Sequence, residues 1–356
     1  MENSTKYKVA VKCCTYNQAQ YITDALNGFV MQETDFPFVC CVIDDASTDG
    51  EQEVIRKYVS ENFDLSEPDV AYEKETDDAY ITYARHKTNK NCFFSVLYLK
   101  KNLFHENEKK LSLISEWMDN AEYIALCEGD DYWTDAQKLQ TQVDYLDSHQ
   151  DYILVHSNFS VVNAKGELIK HDGSSKYIIS DGNVFEELFR GCWVKTLTVL
   201  YRNDVRIEFP RLPDGCFHGD AFIFYVLSRY GKFHFMDEEK GAYRILRNSA
   251  AHYTDETSRY DFAESLKELD YYIAKFYKAS PDVFKSLNER WAINEFKHSL
   301  YASDYGHYVR TDLSSVEHGW GSLSVVCRLC KCKPVFYLIS AVVRFRIVCI
   351  RLLTQV

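Results

Sequence analysis

Apolar positions along the first half of the chain alternate between short continuous runs and helical stripes. Residues 7–14 form an apolar run of strand length that stops at the polar turn Thr15-Tyr16-Asn17-Gln18. A helical pattern covers 19–31, with Ile22, Leu26, Phe29 and Val30 on one side. Residues 38–43 give a second buried strand, ending in Asp44-Asp45-Ala46-Ser47-Thr48-Asp49-Gly50. Val54, Ile55, Tyr58 and Val59 then mark a second helix with a polar, cap-rich start. Residues 60–90 are polar and less periodic, which predicts a segment covering or flanking a site rather than core.

Leu111, Ile114, Ser115 and Met118 predict one helix leading into a strand over 123–127. That strand stops at Glu128-Gly129-Asp130-Asp131-Tyr132-Trp133, and Thr134 is placed to cap a helix whose apolar face is Leu139, Val143 and Leu146. Strands are expected over 152–162 and 193–201, and helices over 185–189 and 221–230. The alternation predicts an α/β fold with an open, mostly parallel sheet and a binding crevice at its strand ends. After His252 the polar stretch 253–258 suggests a boundary, followed by a helix-rich region through about residue 301.

Composition adds limits. The chain has 356 residues, 46% apolar and 15% aromatic, which suits a folded globular protein of one large or two ordinary domains. Its net charge of −12 gives no electrostatic case for a nucleic-acid partner. Adjacent cysteines at 13/14 and 40/41 sit inside apolar runs, fitting buried thiols in a reducing compartment. Residues 1–8 lack the apolar stretch of a secretion signal, so a cytoplasmic location is expected. Residues 318–356 hold six Lys/Arg and no acid, leaving −18 for the remainder. The largely apolar stretch 335–353 is interrupted by Arg344, Arg346 and Arg351, too often for a spanning helix. It reads as an amphipathic helix, either peripheral on an anionic membrane surface or packed against protein.

The acids that follow strands are the candidate chemistry. Carboxylates there can accept hydrogen bonds from a nucleobase or hold a hard divalent cation, Mg²⁺ or Mn²⁺, that bridges phosphates. Asp44 and Asp45 lie at one rim; Glu128, Asp130 and Asp131 lie at the other. Loop shaping and helix capping are the plainer alternatives. No Gly-x-Gly-x-x-Gly or P-loop lysine is present at either rim, which disfavours a dinucleotide-binding dehydrogenase or a P-loop NTPase. Cys327-x-x-Cys330-x-Cys332 lacks a second ligand group to complete a zinc site. Lys110 either neutralises phosphate charge or is a solvated surface lysine.

Three stretches carry a resemblance: Val9-Ala10-Val11-Lys12-Cys13-Cys14-Thr15-Tyr16-Asn17, residues 42–50, and residues 123–133 with Lys138-Leu139-Gln140 and Gln142. Over roughly residues 7–252 the chain resembles the family 2 glycosyltransferases of GT-A fold, especially bacterial enzymes that build capsular or other surface polysaccharides. The resemblance implies a GT-A domain over 1–252, with a nucleotide-binding half to about 133 and an acceptor-binding half over 134–252. A helix-rich region, 253–356, follows. It implies that Thr15, Tyr16, Asp44 and Asp45 hold the base and ribose of a nucleotide diphosphate sugar, with UDP favoured. Asp130, with Glu128 in the family's Asp-x-Asp position, would be the metal ligands, and Asp131 would shape the diphosphate or acceptor side. Asp220, before an apolar helix, would be the base for the acceptor hydroxyl; a helix cap and Asp214 are the alternatives. Arg244, Ser249 and His252 match a later family pattern, with Arg244 fastening a loop to acids and His252 approaching the diphosphate. The implied reaction is metal-dependent, inverting transfer to a hydroxyl of a saccharide or lipid-linked saccharide. A sugar-phosphate nucleotidyltransferase and a noncatalytic nucleotide-sugar or polysaccharide binder are the alternatives.

Overall fold

The computed structural model describes residues 7–354 except 105, 177, 214, 247–255 and 318–321. The chain groups into two units: Met1–Val184 with Cys192–Pro210 and Val226–Arg244, and Phe185–Gly191 with Arg211–Tyr225 and Ile245–Val356.

In chain order the elements begin with β1 (Tyr7–Thr15), α1 (Ile22–Val30), β2 (Phe38–Asp44) and α2 (Glu51–Asn62). Then come β3 (Ala71–Glu75), β4 (Ala79–Arg85), β5 (Cys92–Leu99), α3 (Asn107–Ser112), α4 (Ser115–Met118), β6 (Ala121–Leu126) and β7 (Tyr132–Trp133). Next are α5 (Lys138–Ser148), β8 (Tyr152–Val162), β9 (Leu168–Lys170), β10 (Ile178–Ile179), α6 (Phe185–Leu188), β11 (Cys192–Trp193), β12 (Leu200–Arg202), α7 (Gly219–Leu227) and β13 (Lys232–Arg244). Six helices close the described chain: α8 (Glu256–Phe276), α9 (Pro281–Ala302), α10 (Tyr305–Arg310), α11 (Ser314–Glu317), α12 (Ser322–Leu329) and α13 (Lys333–Thr354).

The first unit is an α/β fold around an eleven-stranded sheet in the order β3-β4-β5-β2-β1-β6-β12-β8-β13-β7, with β9 on β8. Its centre, β5-β2-β1-β6, is parallel, and antiparallel strands extend it on both sides, so the sheet is mixed. All seven residues of β2 are buried, because helices cover both faces of a central parallel strand. That is why Phe38-Val39-Cys40-Cys41-Val42-Ile43 reads as a continuous apolar run rather than an alternating one. Cys13, Cys40, Cys41, Cys92 and Cys127 are buried free thiols that pack as small apolar groups. A mixed central sheet flanked by helices, with a helical C-terminal extension, is consistent with the GT-A fold.

Four local expectations are corrected. Residues 79–85 are core and not cover: β4 pairs along β5, and Ile81, Tyr83 and Ala84 are buried. The short buried run Ile81-Thr82-Tyr83-Ala84 was masked by the polar flanks Asp77-Asp78 and Arg85-His86-Lys87. The helix expected over 111–118 is two short ones, α3 and α4. The strand expected over 193–201 is broken by a 3₁₀ turn, Thr196–Thr198, whose last two carbonyls accept from Trp133 Nε1 and Gln142 Nε2, each at 2.8 Å. Thr134 does not cap α5, which starts at Lys138; the Thr134 N–H instead donates to Lys240 O and prolongs the β7–β13 pairing.

The second unit is mostly helical. Ala292, Phe296, Leu300, Tyr308, Leu313, Val316, Cys327, Cys330 and Phe336 form one of its apolar clusters, so two cysteines of the 327–332 run are core residues. Asp270 is buried and accepts from Tyr225 Oη (2.6 Å) and Trp291 Nε1 (3.0 Å), with Arg290 3.3 Å away. No helix among the described residues is long and apolar enough to cross a membrane.

In the first unit Lys138 is fully buried, its ammonium 2.8 Å from Gln142 Oε1 and 4.4 Å from the Trp133 ring. Burial pulls its pKa down to about 7, and the Lys240 charge adds to the effect. The unfolded chain therefore holds a proton that the folded chain releases between that value and the ordinary lysine pKa. Stability from this group rises with pH across the window, by up to about 1.4 kcal/mol per unit. Urea unfolding at pH 7 to 8.5 should show a shallower rise for Lys138→Met than for the native chain; parallel pH profiles would contradict this.

Candidate functional site

The C-terminal ends of β1, β2 and β6 lie side by side because these strands are parallel neighbours in register, with Thr15 opposite Asp44. The three loops that leave them carry Tyr16, Asp45 and Asp130. Their polar side chains mostly bind one another, so the rim is a network and not three independent loops.

Glu51 is its centre. This first residue of α2 is fully buried and accepts from the Thr15 hydroxyl, the Gln18 N–H (2.9 Å) and the Ser47 hydroxyl (2.8 Å). Burial raises its pKa, and those three hydrogen bonds oppose the rise. Around it the β1 and β2 loops are laced further. The Asn17 N–H donates to Ser47 Oγ (2.9 Å), the Thr48 N–H to Asn17 Oδ1 (2.8 Å), and the Ala19 N–H to Asp49 Oδ2 (3.0 Å). Sequence reading passed over Glu51, noting only a polar, cap-rich start to the helix. A carboxylate at the first helical position, where side chains of the preceding loop converge, was the available signal.

Asp44 is buried at the end of β2. Its Oδ1 accepts from the Ser47 N–H (3.0 Å) and Gln52 Nε2 (2.6 Å), while its Oδ2 is buried with no hydrogen-bond partner. Asp45 is engaged on both oxygens, by the Leu103 N–H (2.6 Å) and by Lys110 Nζ (2.5 Å). Lys110 is thus neither solvated nor free: it forms a buried ion pair with Asp45. Tyr16 is 47% exposed, its ring open to a stacking partner.

The acidic loop after β6 closes on the same rim. The Gly129 N–H donates to Cys14 O, and a side chain at Gly129 would place its Cβ 2.3 Å from Thr15 Oγ1 and 2.7 Å from Gln18 Oε1. Only glycine admits that approach. Asp131 is buried and accepts from the Arg244 N–H at 2.8 Å. The Arg244 guanidinium, also buried, donates to Asp130 O (2.9 Å), Ala164 O (3.2 Å) and Asp24 Oδ2 (2.6 Å). It therefore pins the loop through the main chain and leaves the Asp130 carboxylate at the rim.

Burial raises the pKa of Asp130, opposed by the Arg244 charge, a hydrogen bond from Gln18 and the charge of Lys195. Asp131 is raised further, by burial and then by the charges of Asp130 and Glu128. Lys195, which sequence reading did not single out, lies 3.5 Å from the Tyr243 ring centroid and opposes both shifts. Crowded carboxylates raised in this way form an environment that a divalent cation would relieve. No group of three His, Cys, Asp or Glu among the described residues is arranged to hold an ion. Asp130 and Glu128 are both part-exposed.

Asp220 lies in the second unit, in the first turn of α7, where the Ala221 N–H donates to its Oδ1 at 2.8 Å. Beside it in sequence, His218 is buried against Phe262 O at 2.8 Å; burial lowers its pKa, and the Asp220 charge opposes that. His252, Ser249 and Asp214 fall outside the described residues.

Comparison with known proteins places this rim in context. Residues 11–93, which include the loops after β1 and β2, match the family model described as Glycosyl transferase family 2. Two curated relatives, the uncharacterized proteins Rv1520 of Mycobacterium tuberculosis and Mb1547 of Mycobacterium bovis, are 35% identical over 141 residues. The match covers 40% of this chain and only 32% of each relative. Among solved structures, S. aureus TarS 1-349 in complex with UDP-GlcNAc has a TM-score of 0.46 at 16% identity, covering 95% of this chain and 91% of that one. The mannosyltransferase PcManGT from Pyrobaculum calidifontis, in complex with GDP-Man and Mn²⁺, has a TM-score of 0.47 at 14% identity, covering 96% and 88%.

The network makes a testable claim about coupling. Gly129→Ala should destabilise the protein by about 1–3 kcal/mol through overpacking against Thr15. Glu51→Ala should cost at least about 1–3 kcal/mol by stranding buried donors. Because both changes loosen Thr15 and Gln18, the double variant should lose less than the sum. Urea denaturation of the four proteins checks this, and a neutral Gly129→Ala would contradict the close approach.

Proposed function

We propose that the protein is a glycosyltransferase that moves a sugar from a nucleotide diphosphate sugar to an acceptor hydroxyl. The observation that carries this is the interlocked rim at the ends of β1, β2 and β6, which gathers an exposed aromatic, buried base-side acids and a crowded carboxylate loop. The family match falls on the first two of those loops.

In this proposal Tyr16 stacks on the base, while Thr15, Asp44 and Asp45 form the floor of the base and ribose site. Asp45 acts while held by Lys110, so the lysine positions the acid and does not meet phosphate directly. Asp130, with Glu128 beside it, would hold Mg²⁺ or Mn²⁺, and a bound cation there would offset charge developing on the leaving diphosphate. Asp131 and Arg244 fix the loop so that Asp130 stays presented without rearrangement. Asp220 takes the proton from the acceptor hydroxyl as it attacks the anomeric carbon. His252 is assigned to the diphosphate. The resemblance supplies the finer terms: a UDP-linked donor, one displacement with inversion, and a saccharide or lipid-linked saccharide acceptor in surface polysaccharide synthesis.

Two substitutions separate the roles. Asp130→Asn should lower kcat/KM by about 10²–10³ and weaken the response to added Mn²⁺. Asp220→Asn should lower kcat by about 10²–10⁴ while donor affinity, measured by calorimetry, is kept. The assay is sugar transfer and donor hydrolysis across a panel of nucleotide diphosphate sugars. Donor binding without turnover in the native protein would favour a noncatalytic binder, and turnover unchanged by Asp220→Asn would remove that residue from the chemistry.

A further inference from the structure

Helix α13 is apolar on two opposite faces, and only one of them is covered. On the packed face Phe336 is buried in the cluster with Ala292, Phe296 and Leu300, and the Ser340 hydroxyl donates to Leu300 O at 2.6 Å. On the other face Leu338, Val342 and Phe345 are 67%, 62% and 71% exposed. At 3.6 residues per turn these three fall within about 60° of one another, a continuous ridge. Three large apolar side chains at such exposure on one helix face mark an interaction surface rather than ordinary surface scatter.

The charges around the ridge identify its partner. Arg346 lies about 80° from Leu338 on one side and Arg344 about 120° on the other, so exposed cations flank the apolar strip. Arg328, Lys331 and Lys333, all exposed, continue the basic character N-terminally, and Val325 and Leu329 of α12 are also about half exposed. Residues 318–356 contain no acid to neutralise them. A second copy of this chain on the ridge would set arginine against arginine, which association disfavours. An anionic lipid surface complements both features: acyl chains take the apolar ridge, and headgroups take arginines that reach sideways from it.

We infer that α13 docks the protein in the plane of an anionic membrane surface through Leu338, Val342 and Phe345, with Arg344 and Arg346 at the headgroups. This stands independently of the proposed glycosyl transfer, and it requires no spanning helix. Both groups of side chains project away from the packed core, so replacing them leaves the fold intact.

The test is sedimentation of the full chain with vesicles of phosphatidylcholine alone or with about 30% phosphatidylglycerol, at low salt and at about 0.5 M salt. The native protein should partition at least about tenfold more strongly to the anionic vesicles, and high salt should reduce the difference. Val342→Asn with Phe345→Asn, and separately Arg344→Gln with Arg346→Gln, should each weaken partitioning about tenfold or more, with unchanged circular dichroism. Absence of vesicle binding, equal binding to both compositions, or binding indifferent to both double variants would overturn the inference. A lipid-free dimer that the Val342/Phe345 variant dissociates would also overturn it, assigning the ridge to a second copy.

Discussion

One buried carboxylate organises the candidate site. Glu51 sits where the loops from two parallel strands meet the start of α2, and its oxygens take hydrogen bonds from the Thr15 hydroxyl, the Gln18 main chain and the Ser47 hydroxyl. A buried acid is costly unless such donors surround it, so the loops are held in the arrangement that satisfies it. The loop after β6 packs against that floor. Gly129 lies directly against Thr15, close enough that a Cβ there would clash, and Asp130 follows it in the loop.

A second clamp works from the far side. Arg244 ends β13, more than a hundred residues after the loop it holds, and joins the Asp130 carbonyl to Asp24 on α1. Its own N–H takes one oxygen of Asp131. Of the acids in the loop, Asp131 is therefore largely spent on structure, whereas Asp130 is clamped through its carbonyl. This division follows from hydrogen bonding and separates neighbouring acids that look equivalent in sequence.

Periodicity and the strand-end acids made the central sheet legible, because buried parallel strands leave continuous apolar runs such as residues 38–43. The rim acids were legible for the same reason: each follows such a run. What periodicity could not reveal was anything decided by distant partners. The Asp45–Lys110 ion pair joins residues 65 apart in sequence, and Lys110 looked like an ordinary surface lysine. The 3₁₀ break at Thr196–Thr198 depends on Trp133 and Gln142 reaching its carbonyls. Glu51 was hidden by the capping residues before it, and β4 by the charges around it. In the second unit the exposed ridge of α13 was foreshadowed by the acid-free composition of residues 318–356, but which face is covered depends on α9.

The most direct test of the central claim is a crystal structure with UDP and Mn²⁺ bound. The nucleotide should lie across the ends of β1 and β2, its base against Tyr16 and beside Asp44 and Asp45, with the cation between the diphosphate and Asp130. A nucleotide seated away from this rim, or a cation distant from Asp130, would contradict it.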